Sequence, residues 1–296
     1  MAETDFTSKN DRSQQWQLQR NFLSFEKLPL LMGIVNVTPD SFSDGGKFYQ
    51  HEDAIQHGLE LVKHGAHILD IGGESTRPGS ETISDDEQLR RVIPVITALN
   101  GKISVPISID TSSSRVAREA IDAGAQIVND VTALTGDYNM IDVVGSTGVG
   151  VCLMHMQGSP RSMQTAPKYE NVVLEVYEYL KARRDVLVAA GISPNKITLD
   201  PGIGFGKTTE HNIALLKNAW RLHSLGCPLL IGPSRKSFIG NVLNDQQADR
   251  LAGTIGVVLS LASQGVQIVR VHDIKPIKQS LQMFLETATN ANLQQC

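Results

Sequence analysis

The sequence predicts an α/β protein built as one (β/α)8 barrel, the TIM barrel fold. Eight short apolar runs recur along the 296 residues, and stretches whose apolar residues have helical spacing lie between them. The runs are rich in β-branched residues and lack the polar alternation of a sheet with one wet face, so they are expected to form parallel strands buried on both sides. Eight βα units in a chain of this length match a barrel, which typically needs about 250 residues.

Each predicted element follows from its own stretch of sequence. The strands correspond, in chain order, to LLMGIV from Leu30, AHILDI from Ala66, VPISID from Val105, AQIVND from Ala125, VGVCLM from Val149, KITLD from Lys196, PLLIG from Pro228 and VQIVRV from Val266. Helical spacing predicts helices within 53–65, 85–99, 112–123, 169–190, 211–219 and 249–263. Residues 1–28 are expected to be an N-terminal tail and lead-in, residues 29–290 the barrel, and residues 291–296 a C-terminal tail.

Polar residues end nearly all the predicted strands. They are Asn36, Asp70, Asp110, Asn129, His155, Asp200, residues 234–236 and residues 270–272. An open doubly wound sheet is the alternative architecture, because it is built from the same right-handed units. In an open sheet these residues would be strung along one edge, whereas closure of a barrel brings them around one pocket. Their spread over the whole set of strands favours the barrel, with its active site at the carboxyl ends of the strands.

The composition excludes several classes of protein. A hydrophobic content of 41% and a formal net charge of -4 allow one large core, and the lack of a basic excess argues against nucleic-acid binding. The three cysteines, Cys152, Cys227 and Cys296, are widely separated and lack CxxC spacing, which predicts neither a disulfide framework nor a zinc site. No segment approaches about 18 uninterrupted apolar residues, and residues 1–29 contain no apolar stretch like that of a signal peptide. A location in the reducing cytoplasm, away from membranes, is therefore expected.

Two loops have features that suggest ligand binding. Residues 38–50 follow the first strand, are rich in Ser, Asp and Gly, and carry the aromatic residue Phe42. Residues 72–79 contain paired glycines, which permit unusual backbone dihedrals, and Arg77, which can bind an oxyanion through two hydrogen bonds. Mobile loops above a rigid barrel commonly act as lids. Both loops are therefore expected to close over the site.

A glycine-rich segment, DPGIGFGKT at 200–208, is similar to a phosphate-binding loop only at first sight. A Walker A motif needs Gly where Pro201 stands, and Lys207 occupies the third glycine position of the dinucleotide fingerprint. Nucleotide binding is therefore not expected here. The glycines are instead expected to let the backbone approach a flat ligand, with Phe205 shaping one wall and Asp200 accepting hydrogen bonds.

Seven segments together resemble one enzyme family, the dihydropteroate synthases, which are the folate-pathway transferases targeted by sulfonamides. The segments span about 240 residues, from the first predicted strand to the last. They are NVTPDSFSDGG at 36–46, GGESTRPG at 72–79, SIDT at 108–111, IVND at 127–130, DPGIGFGK at 200–207, SRKS at 234–237 and RVHD at 270–273. Ile203 departs from the pattern, because many members carry an aromatic residue at that position.

The resemblance implies an activity as well as a fold. In this family 6-hydroxymethyl-7,8-dihydropterin pyrophosphate is condensed with p-aminobenzoate to give 7,8-dihydropteroate and pyrophosphate. The resemblance also implies Mg2+ as the cofactor, inhibition by sulfonamides, and a homodimer formed through barrel helices remote from the site.

By resemblance, the dihydropterin lies in a slot at the strand ends. A pterin edge presents ring N–H and amino donors beside a carbonyl oxygen, so carboxylates and an amide suit one side and a lysine suits the other. The resemblance assigns the slot to Asp110, Asn129, Met154, Asp200, Gly204, Phe205 and Lys236. From the residues alone, Asp110 and Asp200 are equally suited to cap the helices that follow them, as strand-end aspartates often do.

Departure of pyrophosphate requires positive charge near its oxygens. The resemblance assigns pyrophosphate binding to Asn36, Thr76, Arg77, Arg270 and His272, with the Asn36 oxygen as a ligand to Mg2+. It assigns catalysis to Asp110, Asp200, Lys236, Arg270 and His272. The alternatives are that Asn36 only ends a strand and that Arg270 pairs with a neighbouring acid such as Asp273.

The aromatic amine already carries a usable lone pair, so no strong general base is needed. This fits the absence from the sequence of an obvious Ser/His/Asp or Cys/His relay. The resemblance assigns p-aminobenzoate binding to Phe42, Thr76, Pro78, Lys236 and Ser237, with the first two loops closing after the pterin has bound.

Two other functions remain open at this point. Corrinoid-linked methyltransferases that use methyltetrahydrofolate share the barrel and an Asp/Asn pterin slot, but they need neither a pyrophosphate site nor the SRKS segment. A non-catalytic pterin-binding protein would keep the slot and lose its lids. The intact segments NVTPDSFSDGG and GGESTRPG argue against such a loss.

Overall fold

The chain folds as a barrel of parallel strands surrounded by helices. The computed structural model describes residues 12–38, 47–75, 79–80, 82–159 and 161–288, with the side chains of the first helix described from His51 onward. The predictions for Phe42, Thr76, Arg77 and Pro78 therefore lie outside the described residues.

The strands follow the predicted apolar runs. A short antiparallel hairpin comes first, formed by β1 (Gln15–Gln17) and β2 (Phe22–Ser24). The barrel strands are β3 (Leu30–Asn36), β4 (Ile68–Gly72), β5 (Ile107–Asp110), β6 (Ile127–Asp130), β7 (Gly150–Met154), β8 (Ile197–Asp200), β9 (Leu230–Ile231) and β10 (Ile268–Val271). Nearly every residue in these strands is buried, which is why they carry no polar alternation.

The eight strands close into a ring. Their order is β8-β7-β6-β5-β4-β3-β10-β9, and all adjacent pairs are parallel. The two ends of this series meet through a parallel bridge between Leu199 and Leu229, supported by the Leu199 N–H, which donates to the Pro228 carbonyl at 2.9 Å. The predicted barrel is therefore confirmed, and the open doubly wound sheet is wrong.

The helices lie outside the ring. They are α1 (Lys47–Lys63), α2 (Asp85–Asn100), α3 (Ser114–Ala123), α4 (Met140–Thr147), α5 (Val172–Ala189), α6 (Thr209–Lys217), α7 (Ser237–Leu243), α8 (Leu251–Ser263) and α9 (Ile274–Thr287). The predicted helices leave out α4, α7 and α9. The first two, at 8 and 7 residues, are too short to show a period. The third does have helical spacing of its buried Ile274, Ile277 and Leu281, and its first turn accommodates Pro276.

The N-terminal hairpin closes one end of the barrel. Trp16 is fully buried and packs with Met32, Ile68, Ile127, Cys152, Leu230 and Ile268, which line the barrel near the amino ends of its strands. The Trp16 Nε1–H donates to the Lys196 carbonyl at 2.9 Å, so the indole is anchored as well as packed. Ligands therefore reach the barrel from the carboxyl ends of the strands, where the predicted polar residues lie.

A cavity of about 920 Å³ lies on this closed side, between the lead-in to β3 and the helix α9. Its walls include Phe25, Leu30, His67 and Lys278. Since it is at the amino ends of the strands, it is separate from the predicted site. Of the helices described, none is both long and apolar enough to cross a membrane.

Candidate active site

Parallel strands in register bring the predicted pterin residues together. Asp110 ends β5 and is paired in register with Asn129 on β6. Met154 ends β7 and is paired with Asp200, the last residue of β8. Asn36 ends β3 on the other side of the ring. These side chains come from distant parts of the sequence, and the barrel gathers them at one end.

An ion-pair network occupies the centre of this end. The Arg270 Nε donates to Asp70 Oδ2 at 2.6 Å, and Arg270 Nη2 donates to Asp110 Oδ2 at 2.9 Å. The Asn129 Nδ2 donates to the same Asp70 oxygen at 3.1 Å. Asp70 is fully buried, and Arg270 is 21% exposed. The guanidinium thus joins β10 to β4 and β5, and Asp70 extends the network to β6.

The alternative prediction, in which Arg270 pairs with Asp273, is wrong. Asp273 instead binds Arg235, which donates from Nε to Asp273 Oδ2 at 2.8 Å and from Nη2 to Asp273 Oδ1 at 2.5 Å. Arg270 lies on β10 and faces the other strand-end carboxylates, whereas Asp273 lies beyond the strand, just before α9. None of the predicted site roles includes Asp70, which the structure shows to be a partner of Arg270. Its position at the end of a strand was the signal in the sequence that could have identified it.

The helix-capping alternative for the two aspartates is also wrong. Ser113 caps α3, where its Oγ accepts from the Val116 N–H at 3.3 Å. Thr208 caps α6, where its Oγ1 accepts from the His211 N–H at 3.3 Å. Asp110 and Asp200 are thus available to the pocket.

The glycine-rich loop after β8 lies tightly against the loop after β7. Gly202 has φ +68°, and a Cβ there would lie 1.9 Å from the His155 carbonyl oxygen. Gly206 has φ +61°, and a Cβ there would lie 2.4 Å from the Gln157 carbonyl oxygen. Neither position accepts another residue without displacing backbone. The Gly202 N–H donates to Asp200 Oδ1 at 2.7 Å, so the loop also orients that carboxylate.

Phe205 and Lys236 come together above this loop. The Lys236 Nζ lies 4.2 Å from the centroid of the Phe205 ring, which is cation–π distance. A Cβ on Gly204 would lie 3.0 Å from the Lys236 Cδ, so the lysine stem passes directly over that glycine. Ile203, the departure from the family pattern, is buried in the core beneath the loop.

Lys207 is a buried lysine that none of the predicted site roles includes. It is 3% exposed, and its Nζ donates to the carbonyls of Phe205 at 2.9 Å and His155 at 3.3 Å and contacts His155 Nδ1 at 3.0 Å. Burial lowers the pKa of Lys207 to about 7, while Asp200 opposes that shift. A lysine after Gly suggests phosphate binding, but this one anchors the loop instead.

Burial shifts the ionisable groups of the pocket. It raises the pKa of Asp110, which Arg270 opposes, and it raises the pKa of Asp200 to about 6, which the Gly202 N–H and Lys236 oppose. Burial, with a further contribution from Arg270, lowers the pKa of Lys236 to about 8. For Arg270 burial alone would lower the pKa, but Asp70 and Asp110 raise it overall. The pocket therefore concentrates charges of both signs in a setting with little water.

The loops after β9 and β10 are joined to each other. The Ser234 Oγ lies 2.9 Å from His272 Nδ1 and accepts from the His272 N–H at 3.2 Å. With the Arg235–Asp273 pair, this fixes Lys236 and His272 on neighbouring loops. Ser237 is exposed at the first position of α7.

The base of the second predicted lid is anchored as well. Glu74 Oε1 accepts from the Ile83 N–H at 3.3 Å, and Glu74 Oε2 accepts from Gln88 Nε2 at 3.2 Å. Gln88 in turn accepts from the Thr111 Oγ1–H at 3.0 Å, immediately after Asp110. The two ends of the loop are thus tied to each other and to the strand that carries Asp110.

The fold and the site together define a pterin binding enzyme, since residues 32–272 match the family of that description. The dihydropteroate synthase of Escherichia coli strain K12 is 46% identical over 259 residues, which are 88% of this chain and 92% of that protein. Two solved structures are also similar. Xanthomonas albilineans dihydropteroate synthase with 4-aminobenzoic acid has a TM-score of 0.87 at 42% identity, over 94% of this chain and 99% of that one. The Yersinia pestis enzyme in a sulfonamide drug complex has a TM-score of 0.85 at 41% identity, and the match covers 92% of this chain and 98% of that one.

The chain belongs to the pterin binding enzymes and, within them, to the dihydropteroate synthases.

Proposed function

We propose that the chain condenses 6-hydroxymethyl-7,8-dihydropterin pyrophosphate with p-aminobenzoate, giving 7,8-dihydropteroate and pyrophosphate. One observation carries this proposal: a single pocket holds acceptors suited to a pterin edge and cations suited to a pyrophosphate leaving group. Asp110, Asn129 and Asp200 supply the acceptors, and Lys236 and Arg270 supply the cations. The relatives that carry this activity by name are similar over nearly the whole chain.

The pterin would lie among the ends of β5 to β8. Its amino and ring N–H donors would face the carboxylates and the Asn129 amide oxygen, and its carbonyl would accept from Lys236. Met154, Gly204 and Phe205 would supply apolar contact to its faces. The tight fit of the glycine-rich loop supports this arrangement, because a rigid loop can hold a flat ring in one orientation.

Cleavage of the C–O bond leaves positive charge on the pterin methylene and negative charge on pyrophosphate. Asp110 and Asp200 are placed to stabilise the first charge, an effect that is strongest in a preorganised site with little water. Arg270 is placed to stabilise the second, because its Nη1 has no hydrogen-bond partner among the described residues. His272 would assist from the neighbouring loop, as would Thr76 and Arg77 in the second lid.

Attack by p-aminobenzoate then forms the new C–N bond. The amine nitrogen uses its own lone pair and releases a proton afterwards, so the reaction needs no strong base. Lys236 and Ser237 lie beside the pocket and are proposed to bind the amine substrate, with Phe42, Thr76 and Pro78 closing over it. Sulfonamides, which resemble p-aminobenzoate in shape, are proposed to compete for the same place, as in the Yersinia pestis complex.

Mg2+ is proposed to bind together with pyrophosphate. The residues present fit this arrangement: the Asn36 side chain has no hydrogen-bond partner in the described part of the chain and ends a strand beside the pocket. No group of three His, Cys, Asp or Glu side chains that could hold a metal was found among the described residues. Mg2+ often binds through one protein oxygen plus phosphate and water, and it would neutralise charge on the leaving group.

A homodimer is proposed to form through α8 and the end of α7. The exposed face of α8 presents Ala252, Gly256 and Ser260 at intervals of four residues, so another helix could approach closely. Val242 and Leu243, at the end of α7, are 55% and 50% exposed. This apolar surface is the support for placing a second copy there.

A cytoplasmic location is proposed from the cysteines. Cys152 and Cys227 are buried as free thiols, and burial raises the pKa of both, that of Cys227 to about 12. Free thiols without disulfides are typical of proteins from a reducing compartment.

Pyrophosphate release tests the proposed function. The purified chain would be given 6-hydroxymethyl-7,8-dihydropterin pyrophosphate and Mg2+, with and without p-aminobenzoate, beside an Asp200→Asn variant. Continued release that requires the amine, with dihydropteroate as product, is expected from the parent chain. The variant is expected to turn over about 100-fold more slowly, because it loses a charge that stabilises the transition state. Pterin binding without release would favour the methyltransferase or the non-catalytic binding protein.

A further inference from the structure

We infer that Asp70 is a positioning residue that orients Asn129 and Arg270 toward the pterin and its pyrophosphate. This inference rests on the proposed function, since it concerns how the same site is assembled. None of the proposed substrate contacts involves Asp70, which is fully buried in β4. Its role is inferred from the two side chains that it binds, Asn129 and Arg270.

The placement of Asp70 requires its side chain to point into the barrel. Its partner Asn129 lies on β6 and its partner Arg270 on β10, and each of these strands is two positions away from β4 in the ring. A side chain pointing outward toward the helices could not reach both. The single oxygen Oδ2 accepts from both partners, at 3.1 Å and 2.6 Å. Asp70 thus couples the pterin side of the pocket to the leaving-group side.

The first consequence concerns the Asn129 amide. A carboxylate in an ion pair only accepts hydrogen bonds, so it selects the Nδ2 end of the amide. The Oδ1 end is then turned away from Asp70, and it has no hydrogen-bond partner within the described residues. An acceptor at that place suits the N–H donors of a pterin edge. If the amide were reversed, two donors would face each other and the pterin would be rejected.

The second consequence concerns the Arg270 guanidinium. Asp70 holds Nε while Asp110 holds Nη2, so the plane of the group is set by two carboxylates on neighbouring strands. Nη1 remains to donate to an incoming anion. Guanidinium groups bind phosphate oxygens through directed donors, so their orientation affects affinity. Without Asp70, Arg270 would retain one anchor and could rotate about it.

The chemistry of Asp70 also argues against a purely packing role. Its Oδ1 is buried and has no hydrogen-bond partner among the described residues. A buried acceptor of this kind is costly, and Asn would fill the same volume without a buried charge. The carboxylate is explained if the site needs an acceptor-only group at the point where Arg270 and Asn129 meet.

The variant Asp70→Asn tests the inference with two probes. Binding of 6-hydroxymethyl-7,8-dihydropterin, which lacks pyrophosphate, reports on Asn129, and binding of inorganic pyrophosphate reports on Arg270. Calorimetry is expected to show each Kd rising by about tenfold or more in the variant, while the KM for p-aminobenzoate stays within about twofold. Unchanged affinities for both probes would overturn the inference.

A double-mutant cycle separates positioning from general damage. In an Asn129→Ala background the amide is absent, so Asp70→Asn is expected to weaken dihydropterin binding by less than about threefold. An effect as large as in the parent background would show that Asp70 does not act through Asn129, and the inference would fall.

Asp130→Asn is the matched control. Asp130 is another fully buried aspartate, at the end of β6, but it binds Ser112, Thr132 and the Leu134 N–H on the outer side of the pocket. It is expected to lower the Tm without raising the Kd for either probe. If Asp130→Asn raised both values of Kd to a comparable extent, the loss of any buried charge would account for the effects of Asp70→Asn. That result would contradict the role of Asp70.

A measurement on the parent chain covers the case in which Asp70→Asn does not fold. The signal of the Asn129 side-chain amide can be assigned because it is missing in Asn129→Ala. This amide is expected to be protected from hydrogen exchange both in the free protein and in the protein with bound dihydropterin. Rapid exchange in either state would overturn the inference. A parent chain that neither binds pterin nor turns over would refute the proposed function, whereas normal turnover with an unaffected Asp70→Asn variant would refute this inference alone.

Discussion

Asp200 and Lys236 illustrate how the pocket adjusts single residues. Burial raises the pKa of the acid to about 6 and lowers the pKa of the amine to about 8, so the two values approach each other. Between these values both groups are charged, as the proposed function requires. The carboxylate would stabilise the pterin cation, and the ammonium would donate to the pterin carbonyl.

These shifts predict a bell-shaped dependence of kcat/KM on pH. Activity should fall on the acid side as Asp200, whose pKa is about 6, and Asp110, whose pKa is also raised, take up protons, and it should fall above about pH 8 as Lys236 loses one. Steady-state rates at saturating p-aminobenzoate would measure the profile. In Lys236→Arg the alkaline limb should move to higher pH, because guanidinium stays protonated. A flat profile from about pH 5 to about pH 9 would contradict the assignment.

At the scale of elements, the glycine-rich loop after β8 is the part that sequence and structure explain most fully together. Its glycines touch the backbone of the loop after β7, and Lys207 anchors it from within. The Tyr169 hydroxyl adds a third attachment, donating to the Gly206 carbonyl at 2.9 Å. A loop held at so many points is a rigid wall rather than a lid.

Gly202→Ala should therefore damage both stability and binding. The new Cβ would meet the His155 carbonyl oxygen in addition to the strain of a positive φ, so the free energy of unfolding should fall by about 2 kcal/mol or more. Pterin affinity should fall as well, because the Gly202 N–H orients Asp200. Thermal unfolding and calorimetry would measure the two effects.

Gly191→Ala is the control for this prediction. Gly191 also has a positive φ, of +87°, but no described atom lies within 4 Å of its would-be Cβ. Only the backbone strain remains, about 1 kcal/mol. Equal destabilisation by the two variants would show that contact with the neighbouring loop is unimportant.

At the scale of the whole molecule, the barrel separates stability from chemistry. The hairpin that carries Trp16 closes one end, while the charged network lies at the other. A change at the closed end should alter the unfolding equilibrium and leave the pocket intact in the folded fraction.

Trp16→Ala tests this separation. The indole is fully buried and hydrogen-bonded, so its loss should lower the free energy of unfolding by about 3–5 kcal/mol. Pterin affinity of the folded protein should not change. Phe22→Ala, in the same hairpin but at a side chain 60% exposed, should alter stability by less than about 0.5 kcal/mol. Loss of pterin affinity in folded Trp16→Ala would mean that the two ends are coupled.

Gly256→Glu tests the proposed dimer. No described atom lies within 4 Å of its would-be Cβ, so a single chain can accommodate the glutamate, but two copies of α8 packed together could not. Analytical ultracentrifugation should show a dimer for the parent chain and a monomer for the variant. Gly101→Glu, at an equally open position beyond α2, should remain dimeric. A monomeric parent chain would refute the proposed dimer.

The sequence allowed the barrel to be predicted because buried parallel strands need continuous apolar runs, and the eight runs coincide with β3 to β10. Helix starts were harder to place. Residues 112 and 169 belong to predicted helices, yet α3 and α5 begin only after the caps Ser113 and Asn171. Short helices such as α4 showed no usable period. The roles predicted for Phe42, Thr76, Arg77 and Pro78 stay predictions, since these residues lie outside the described ranges.

By itself, the sequence determined the fold class, the family, and which polar residues stand at strand ends, because these depend on local composition and on motifs. The choice of partners was decided only by the tertiary structure. Arg270 is close in sequence to Asp273 but binds Asp70 and Asp110, and Lys207 follows glycines but binds carbonyls of its own and the neighbouring loop. Ion pairs and hydrogen bonds depend on distances of a few ångströms, and closure of the barrel sets those distances between residues up to 200 positions apart.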